Sequence, residues 1–185
     1  MLKLGRVGRT DPALDDSTRS SRLRGKPVGR ARLLDNRDLD QVRAALAIDS
    51  VSSCMVASRV ELTGLHPLRL GGEMWGYEAR AARGRALAGL CFSGPNLVPV
   101  LGDDAAMRSF AERALRHPRA CSSLVGAADN VLRLWERLAD EWGPAREVRA
   151  DQPLLAMDTA PAIRQDPCVR QVRTDELDRY LPAAI

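Results

Sequence analysis

Three stretches, Glu73-Met-Trp-Gly-Tyr-Glu78, Ala86-Leu-Ala-Gly-Leu-Cys-Phe92 and Asn96-Leu-Val-Pro-Val-Leu101, decide how this chain reads. Each is rich in aliphatic and aromatic residues, short, and bounded by turn formers, the signature of a strand rather than a helix. The first connection, Arg80 to Arg85, is polar and contains Gly84, which predicts an exposed hairpin loop. The second, Ser93-Gly94-Pro95-Asn96, consists of turn residues, so the three strands should form an antiparallel meander. Pro99 has no amide hydrogen to give a ladder, so the third strand should be bulged or splayed there.

Ahead of the meander, Arg30-Ala-Arg-Leu-Leu34 reads as a short strand. Asp35 and Asn36 can accept from the free amides of a helix start, and Leu39, Val42 and Leu46 follow at helical spacing. A second helix is predicted between a Ser50 cap and Gly64, with Val51, Cys54, Met55 and Leu62 as its apolar positions and His66-Pro67 as its break.

Beyond the meander, Asp103 and Asp104 should open a helix striped by Met107, Phe110, Ala111, Ala114 and Leu115 and closed near His117-Pro118. Ala120-Cys-Ser-Ser-Leu-Val125 reads as a short strand ending at Gly126. Asp129 is the expected cap of a helix carrying Val131, Trp135, Leu138, Ala139 and Trp142 on one face. Two closing strands are predicted at Arg146–Arg149 and Leu154–Met157, then a linker with Pro161 and Pro167. The pattern then restarts: Cys168-Val-Arg-Gln-Val-Arg173 as a strand, Thr174 as a cap, and Leu177, Tyr180 and Leu181 as a helical stripe.

These elements alternate irregularly, which places the chain in the α/β class (α+β, with a mixed sheet) and predicts a central mixed sheet with helices on both faces. Residues 30–158 form the expected domain, 159–167 a linker, and 168–185 the truncated start of a second domain. Residues 1–32 hold nine basic and three acidic side chains in a chain whose net charge is +4, so the remainder is slightly acidic. Charge of one sign with few apolar residues predicts a disordered basic arm over 1–29. The arm has no aromatic residue to stack on bases, and nothing else points to nucleic acid. No run approaches the ~18 apolar residues of a membrane span and no apolar core follows the basic N-terminus, so the chain reads as cytoplasmic. Cys54, Cys91, Cys121 and Cys168 are scattered, with no metal-ligand spacing, and read as reduced thiols buried as small hydrophobes. No metal site is expected.

The element order resembles the GNAT N-acetyltransferase fold. Several stretches, Leu33-Leu-Asp-Asn-Arg-Asp-Leu-Asp40, Leu70-Gly-Gly-Glu73, Cys121-Ser-Ser-Leu-Val-Gly126 and Trp142-Gly-Pro-Ala-Arg-Glu147 among them, resemble the N-terminal lobe of a bacterial two-lobed GNAT family. In that family a domain of unknown function precedes a second, acetyltransferase domain. The resemblance implies acetyl-CoA as co-substrate, an amine acceptor, and a C-terminal catalytic GNAT lobe as partner.

In such enzymes a Q/R-x-x-G-x-G/A loop at the junction of the fourth strand and the next helix holds the coenzyme diphosphate on backbone amides. The corresponding turn here is Val100-Leu-Gly102-Asp103-Asp104-Ala105, with one glycine and two carboxylates that would repel the anion. Helix capping accounts for those carboxylates without any ligand. By resemblance the residues nearest a coenzyme would be Val98, Val100, Gly102 and Asn130. Where the family carries a tyrosine acid, this chain has Leu134-Trp135-Glu136, and an indole N–H is far too weak an acid to replace a phenol. Trp135 therefore reads as core. Glu73 and Glu78 are the candidates for a base toward an amine, since both could line the meander face where substrates bind in the enzymes it resembles. His66 and His117 each precede a proline at a helix end, and Ser122-Ser123 lacks a nucleophile elbow.

The expected role is the N-terminal accessory lobe of an acetyl-CoA-dependent N-acetyltransferase, with the acyl chemistry carried elsewhere. The alternatives are a divergent self-sufficient acetyltransferase, or a non-enzymatic interaction module that uses its basic arm.

Overall fold

A computed structural model describes residues 29–81 and 84–184. The predicted arm, apart from Gly29, lies outside the described residues. The elements run β1 (Arg32–Leu33), α1 (Leu39–Leu46), α2 (Cys54–Thr63), α3 (Pro67–Leu70), β2 (Glu73–Ala81), β3 (Gly84–Ser93), β4 (Asn96–Leu101), α4 (Asp104–Ala114), β5 (Ser123–Leu124), α5 (Ala128–Glu136), α6 (Ala139–Trp142) and α7 (Leu177–Ala184). They build a mixed α/β structure around a five-stranded sheet in the order β1-β2-β3-β4-β5, antiparallel except for the parallel pair β4–β5.

The meander forms over the residues that predict it, with two bulges. Leu90 faces Leu101 while Cys91 faces Pro99, so Val100 is the extra residue, immediately after the proline that cannot donate. On β3 the extra residue is Ala88, since Tyr77 faces Gly89 and Glu78 faces Leu87. Arg80 and Arg85 are not loop residues: they pair within the ladder.

Alternation along the strands divides the core in two. On one face Trp75, Tyr77, Cys91 and Leu97 pack against Met107, Phe110 and Ala111 of α4 and Leu134 of α5. On the other Met74, Leu90, Phe92 and Val98 pack against Val42 and Leu46 of α1 and Val56 and Val60 of α2. Ser109 on α4 is buried and accepts the Ala31 amide at 2.6 Å, tying the helix to the start of β1.

Several expectations are corrected. The buried face of α2 carries Val56 and Val60, whereas Val51, Met55 and Leu62 are exposed; apolar residues surround this helix, so spacing alone cannot choose the phase. Neither Ser50 nor Asp129 is a cap: α2 follows Ser53 and α5 follows Ala127, with no side-chain cap at either. Pro67 opens the short α3 at its first position, where its missing amide hydrogen costs nothing. The expected last long helix turns at Arg137–Leu138 and restarts as α6.

Residues 146–149, 154–157 and 168–173 are not strands. A strand needs a ladder partner, and the side chains Val148, Leu154, Leu155, Met157, Val169 and Val172 are all exposed. Cys54 and Cys168 are exposed, so only Cys91 and Cys121 act as buried small hydrophobes; burial raises the thiol pKa of both. Among the described residues no helix is long and apolar enough to cross a membrane.

Candidate functional site

Helix α4 begins where β4 ends, and this junction is the place the sequence singles out. Gly102 has φ +149°, and a Cβ there would stand 2.6 Å from the Ala106 Cβ. Only glycine lets the strand end approach the first turn of the helix so closely. The next residue, Asp103, accepts the Ala106 amide at 2.9 Å as the N-cap of α4. Asp104 pairs with Arg108 at 3.2 Å and with Arg137 at the end of α5; the Arg137 hydrogen bond chiefly, then both guanidinium charges with a small part from Arg133, keeps its carboxyl below the ordinary range. One amide of the helix N-terminus is therefore taken by the chain's own Asp103, at a contribution of ~0.5–2 kcal/mol for such a cap.

Beside this turn β4 and β5 part. Asn96 and Leu97 pair with Ser123 and Leu124, and the Val125 amide still reaches the Leu97 carbonyl at 3.1 Å. The chain then turns away at Gly126, φ +148°, into α5 while β4 continues to Leu101. Asn130 of α5 fills the gap, its amide nitrogen 3.5 Å from the carbonyl oxygens of both Pro99 and Val100. Three of the residues named by resemblance, Val100, Gly102 and Asn130, thus meet at one place. The Val98 side chain is buried on the α1 face with Phe92 and Met74, and that of Val100 packs against the same cluster; Val100 meets Asn130 through its main-chain carbonyl. Trp135 is half-buried against the α4-side core, as its place in the stripe predicts.

The two candidate bases are separated by the sheet. Glu73 shares the α4 face with Trp75, five residues and hence an odd number of steps from Glu78. Its Oε2 accepts the Trp75 indole N–H at 2.6 Å and an Arg113 N–H at 3.2 Å, while Arg113 also lies over the Trp75 ring, 5.2 Å from its centroid. The indole bond first, against partial burial and helped by Arg113, with a small contribution from His117, lowers the Glu73 pKa. Glu78, on the α1 face, is held by Arg32 at 2.8 Å and Arg85 at 3.1 Å. Each glutamate is engaged by arginine, an arrangement that serves structure before proton abstraction. Ser122 donates to the Pro95 carbonyl at 3.2 Å and the Ser123 hydroxyl lies 2.6 Å from Asn96 Oδ1, so both serine hydroxyls tie β5 to the turn before β4. Among the described residues no group of His, Cys, Asp and Glu side chains could hold a metal ion.

Two features escaped the reading of the sequence. One is a cleft at the far end of α4, lined by Leu115, His117, Arg119, Glu141 and Trp142; the fold alone brings Arg119 and Trp142 together. The other is an internal match. Arg32 donates two hydrogen bonds to Asp38, at 2.9 and 2.7 Å, and an Asp38 oxygen accepts the Asp35 amide at 3.0 Å, immediately before α1. Arg170 donates two to Glu176, at 2.6 and 2.5 Å, and Glu176 accepts the Arg173 amide at 3.0 Å, immediately before α7. The spacing is the same in both, and each leads through a single 3-10 turn into an eight-residue helix. Arg-Leu-Leu-Asp-Asn-Arg-Asp-Leu-Asp40 and Arg-Gln-Val-Arg-Thr-Asp-Glu-Leu-Asp178 show the signal in the sequence itself.

The profile of one protein family, described as "Domain of unknown function (DUF4081)", matches residues 72–180, more than half of the chain. No curated protein and no solved structure matches it.

Proposed function

Since the chain belongs to the Domain of unknown function (DUF4081) family, we propose, within that membership, that it is the accessory lobe of a GNAT-type, acetyl-CoA-dependent N-acetyltransferase. It packs beside a catalytic lobe and shapes the amine-acceptor site, while the coenzyme is held by the other lobe. The observation that carries this reading is the N-terminus of α4. A coenzyme diphosphate would need that helix end to be open and electropositive. Here Asp103 takes the Ala106 amide, and Asp104 engages the two nearby guanidinium groups, Arg108 and Arg137, that an anion would otherwise meet. Asn130, one of the residues named by resemblance to the GNAT fold, turns its side-chain amide to the Pro99 and Val100 carbonyls of β4.

The match between residues 32–46 and 170–184 supports a companion unit built on the same plan. In the first segment Leu34, Val42 and Leu46 are buried under a sheet, whereas Val172, Leu177, Tyr180 and Leu181 in the second are exposed. A second sheet would bury Val172 and Tyr180 as the first buries their counterparts Leu34 and Val42.

Thermal unfolding of this chain with added acetyl-CoA tests the proposal. A ligand that binds the native state raises the midpoint by mass action, by ~2.7 kcal/mol at a hundredfold excess over Kd. The expected result is no saturable shift. A saturable shift that also perturbs the Gly102 amide would overturn the accessory reading in favour of a self-sufficient enzyme. In a second arm, a catalytic lobe bearing the Q/R-x-x-G-x-G/A loop is assayed with and without this chain. The accessory role changes KM for the amine and leaves KM for acetyl-CoA unchanged.

A further inference from the structure

The cleft lined by Leu115, His117, Arg119, Glu141 and Trp142 has a volume of about 600 Å³. It lies where the C-terminal end of α4 meets α6. Eleven helical residues at ~1.5 Å rise separate it from the Gly102–Asp104 turn, so it is remote from the gap between β4 and β5.

The guanidinium in this cleft is fixed before any ligand arrives. Arg119 Nε donates to the Cys121 carbonyl at 2.9 Å and Nη2 to the Ser122 carbonyl at 3.3 Å. Its plane also lies over the Trp142 ring, 5.2 Å from the centroid. Three contacts, with the Cys121 thiol as a further neighbour, thus set its orientation, while no carboxylate pairs with its Nη1 edge among the described residues. Little side-chain freedom is left to lose when an anion docks on that edge, and a guanidinium edge suits a carboxylate.

Glu141 lines the same cleft and forms no ion pair with Arg119. Among the described residues its carboxylate has no hydrogen-bond or ion-pair partner at all. One wall thus presents a positioned cation and another an uncommitted anion, with the apolar surfaces of Leu115 and Trp142 exposed to the same space. A simple anion would be repelled by Glu141 and a simple cation by Arg119. A molecule that carries both charges and an apolar body satisfies every wall.

From this we infer that the cleft binds a small zwitterion of the free α-amino-acid class with an apolar side chain. The carboxylate meets the Arg119 edge, the ammonium meets Glu141, and the side chain lies against Leu115 and Trp142. The inference stands independently of the acetyltransferase reading.

The test follows the Trp142 indole N–H resonance of the full chain while L-leucine is added, with 4-methylpentanoate, which lacks the amine, as the comparison ligand. The expected result is a saturable shift at Trp142 with none at Trp135, and affinity for 4-methylpentanoate about tenfold lower, the worth of one charged hydrogen bond. Glu141→Gln should abolish that preference by weakening L-leucine alone, and Arg119→Met should weaken both ligands by about tenfold or more. Glu141 is exposed and unpartnered, so Glu141→Gln keeps the fold and the test decisive even if loss of the Arg119 carbonyl bonds disturbs the loop. No saturable shift with L-leucine, or an unchanged preference in Glu141→Gln, overturns the inference.

Discussion

Residues 32–46 and 170–184 share one local design and meet opposite fates. In both, an arginine clamps an acid six residues later, that acid accepts the amide three residues before it, and a helix starts at the following leucine. In the first segment the helix is covered: Val42 and Leu46 are buried beneath the β3–β4 face, and the Leu34 amide donates to the Met74 carbonyl at 2.8 Å. In the second no described residue covers it, and Tyr180 remains 48% exposed. The capping geometry belongs to a few neighbouring residues, whereas burial belongs to the surface that meets them. Hydrogen bonds of short range can therefore set a turn without giving it stability.

The difference should be largest for apolar truncation. Leu34 is 1% exposed and Val172, its counterpart, is 47% exposed. Leu34→Ala should lower unfolding free energy in urea by about 2–5 kcal/mol, the transfer and cavity cost of a buried leucine. Val172→Ala should change it by no more than about 0.5 kcal/mol. Similar losses at the two positions would mean that the second segment is covered after all.

A smaller contrast concerns the acids. Asp38 has its pKa lowered, by the Arg32 hydrogen bonds first, against burial, and then by the Asp35 amide. A group whose pKa falls on folding stabilises the native state above its unfolded value, and that contribution disappears as pH drops through the folded value. The stability from Asp38 should thus be full at neutral pH and fade on acidification below about pH 4, the ordinary Asp range. Asp38→Asn should cost about 1–2 kcal/mol at neutral pH, reduced by the partial exposure of Arg32, and should flatten the acid limb of the stability profile. Glu176 is drawn down to about 2 by Arg170 and then the Arg173 amide. Its titration should register in the α7 amide resonances and leave the global unfolding midpoint unmoved. An acid limb unchanged by Asp38→Asn would show that the first clamp is as local as the second.

What the sequence made legible follows the same division between local and distant causes. The meander, the Pro99 disturbance, the α4 stripe from Met107 to Ala114 and the Gly64 stop are short-range features and appear where their residues place them, whereas Leu115, read as the last of that stripe, lies past the helix end and is exposed. The opposite placement of Glu73 and Glu78 was also legible, since five steps along a strand reverse the face; the bulge near them lies on β3 and does not alter the count. The phase of α2 was not, because Met55 and Leu62 are as apolar as Val56 and Val60 and only the β3–β4 face selects between them. Strands at 146–149 and 154–157 failed for a related reason: an apolar run states what could be buried but not whether an edge is there to pair with it. The Arg119–Trp142 cleft depends wholly on the turn after Glu136 that folds α6 back, and no spacing announces it.

The smallest effect expected is also the sharpest test of the comparison. Ending the chain after Asp166 removes α7, its arginine clamp and five large apolar side chains, Val169, Val172, Leu177, Tyr180 and Leu181, that are each at least 41% exposed. Unfolding free energy follows the apolar area removed from water, and these residues remove little. The sheet should therefore unfold within about 0.5 kcal/mol of the intact chain, with the same denaturant slope, because that slope scales with the surface newly exposed. Deletion of the matching first segment would strip Leu34, Val42 and Leu46 from the core and should leave no cooperative transition. If the shorter chain instead lost both stability and slope, the second segment would have to be packed in solution. Its clamp would then act on the same footing as that of Arg32 and Asp38.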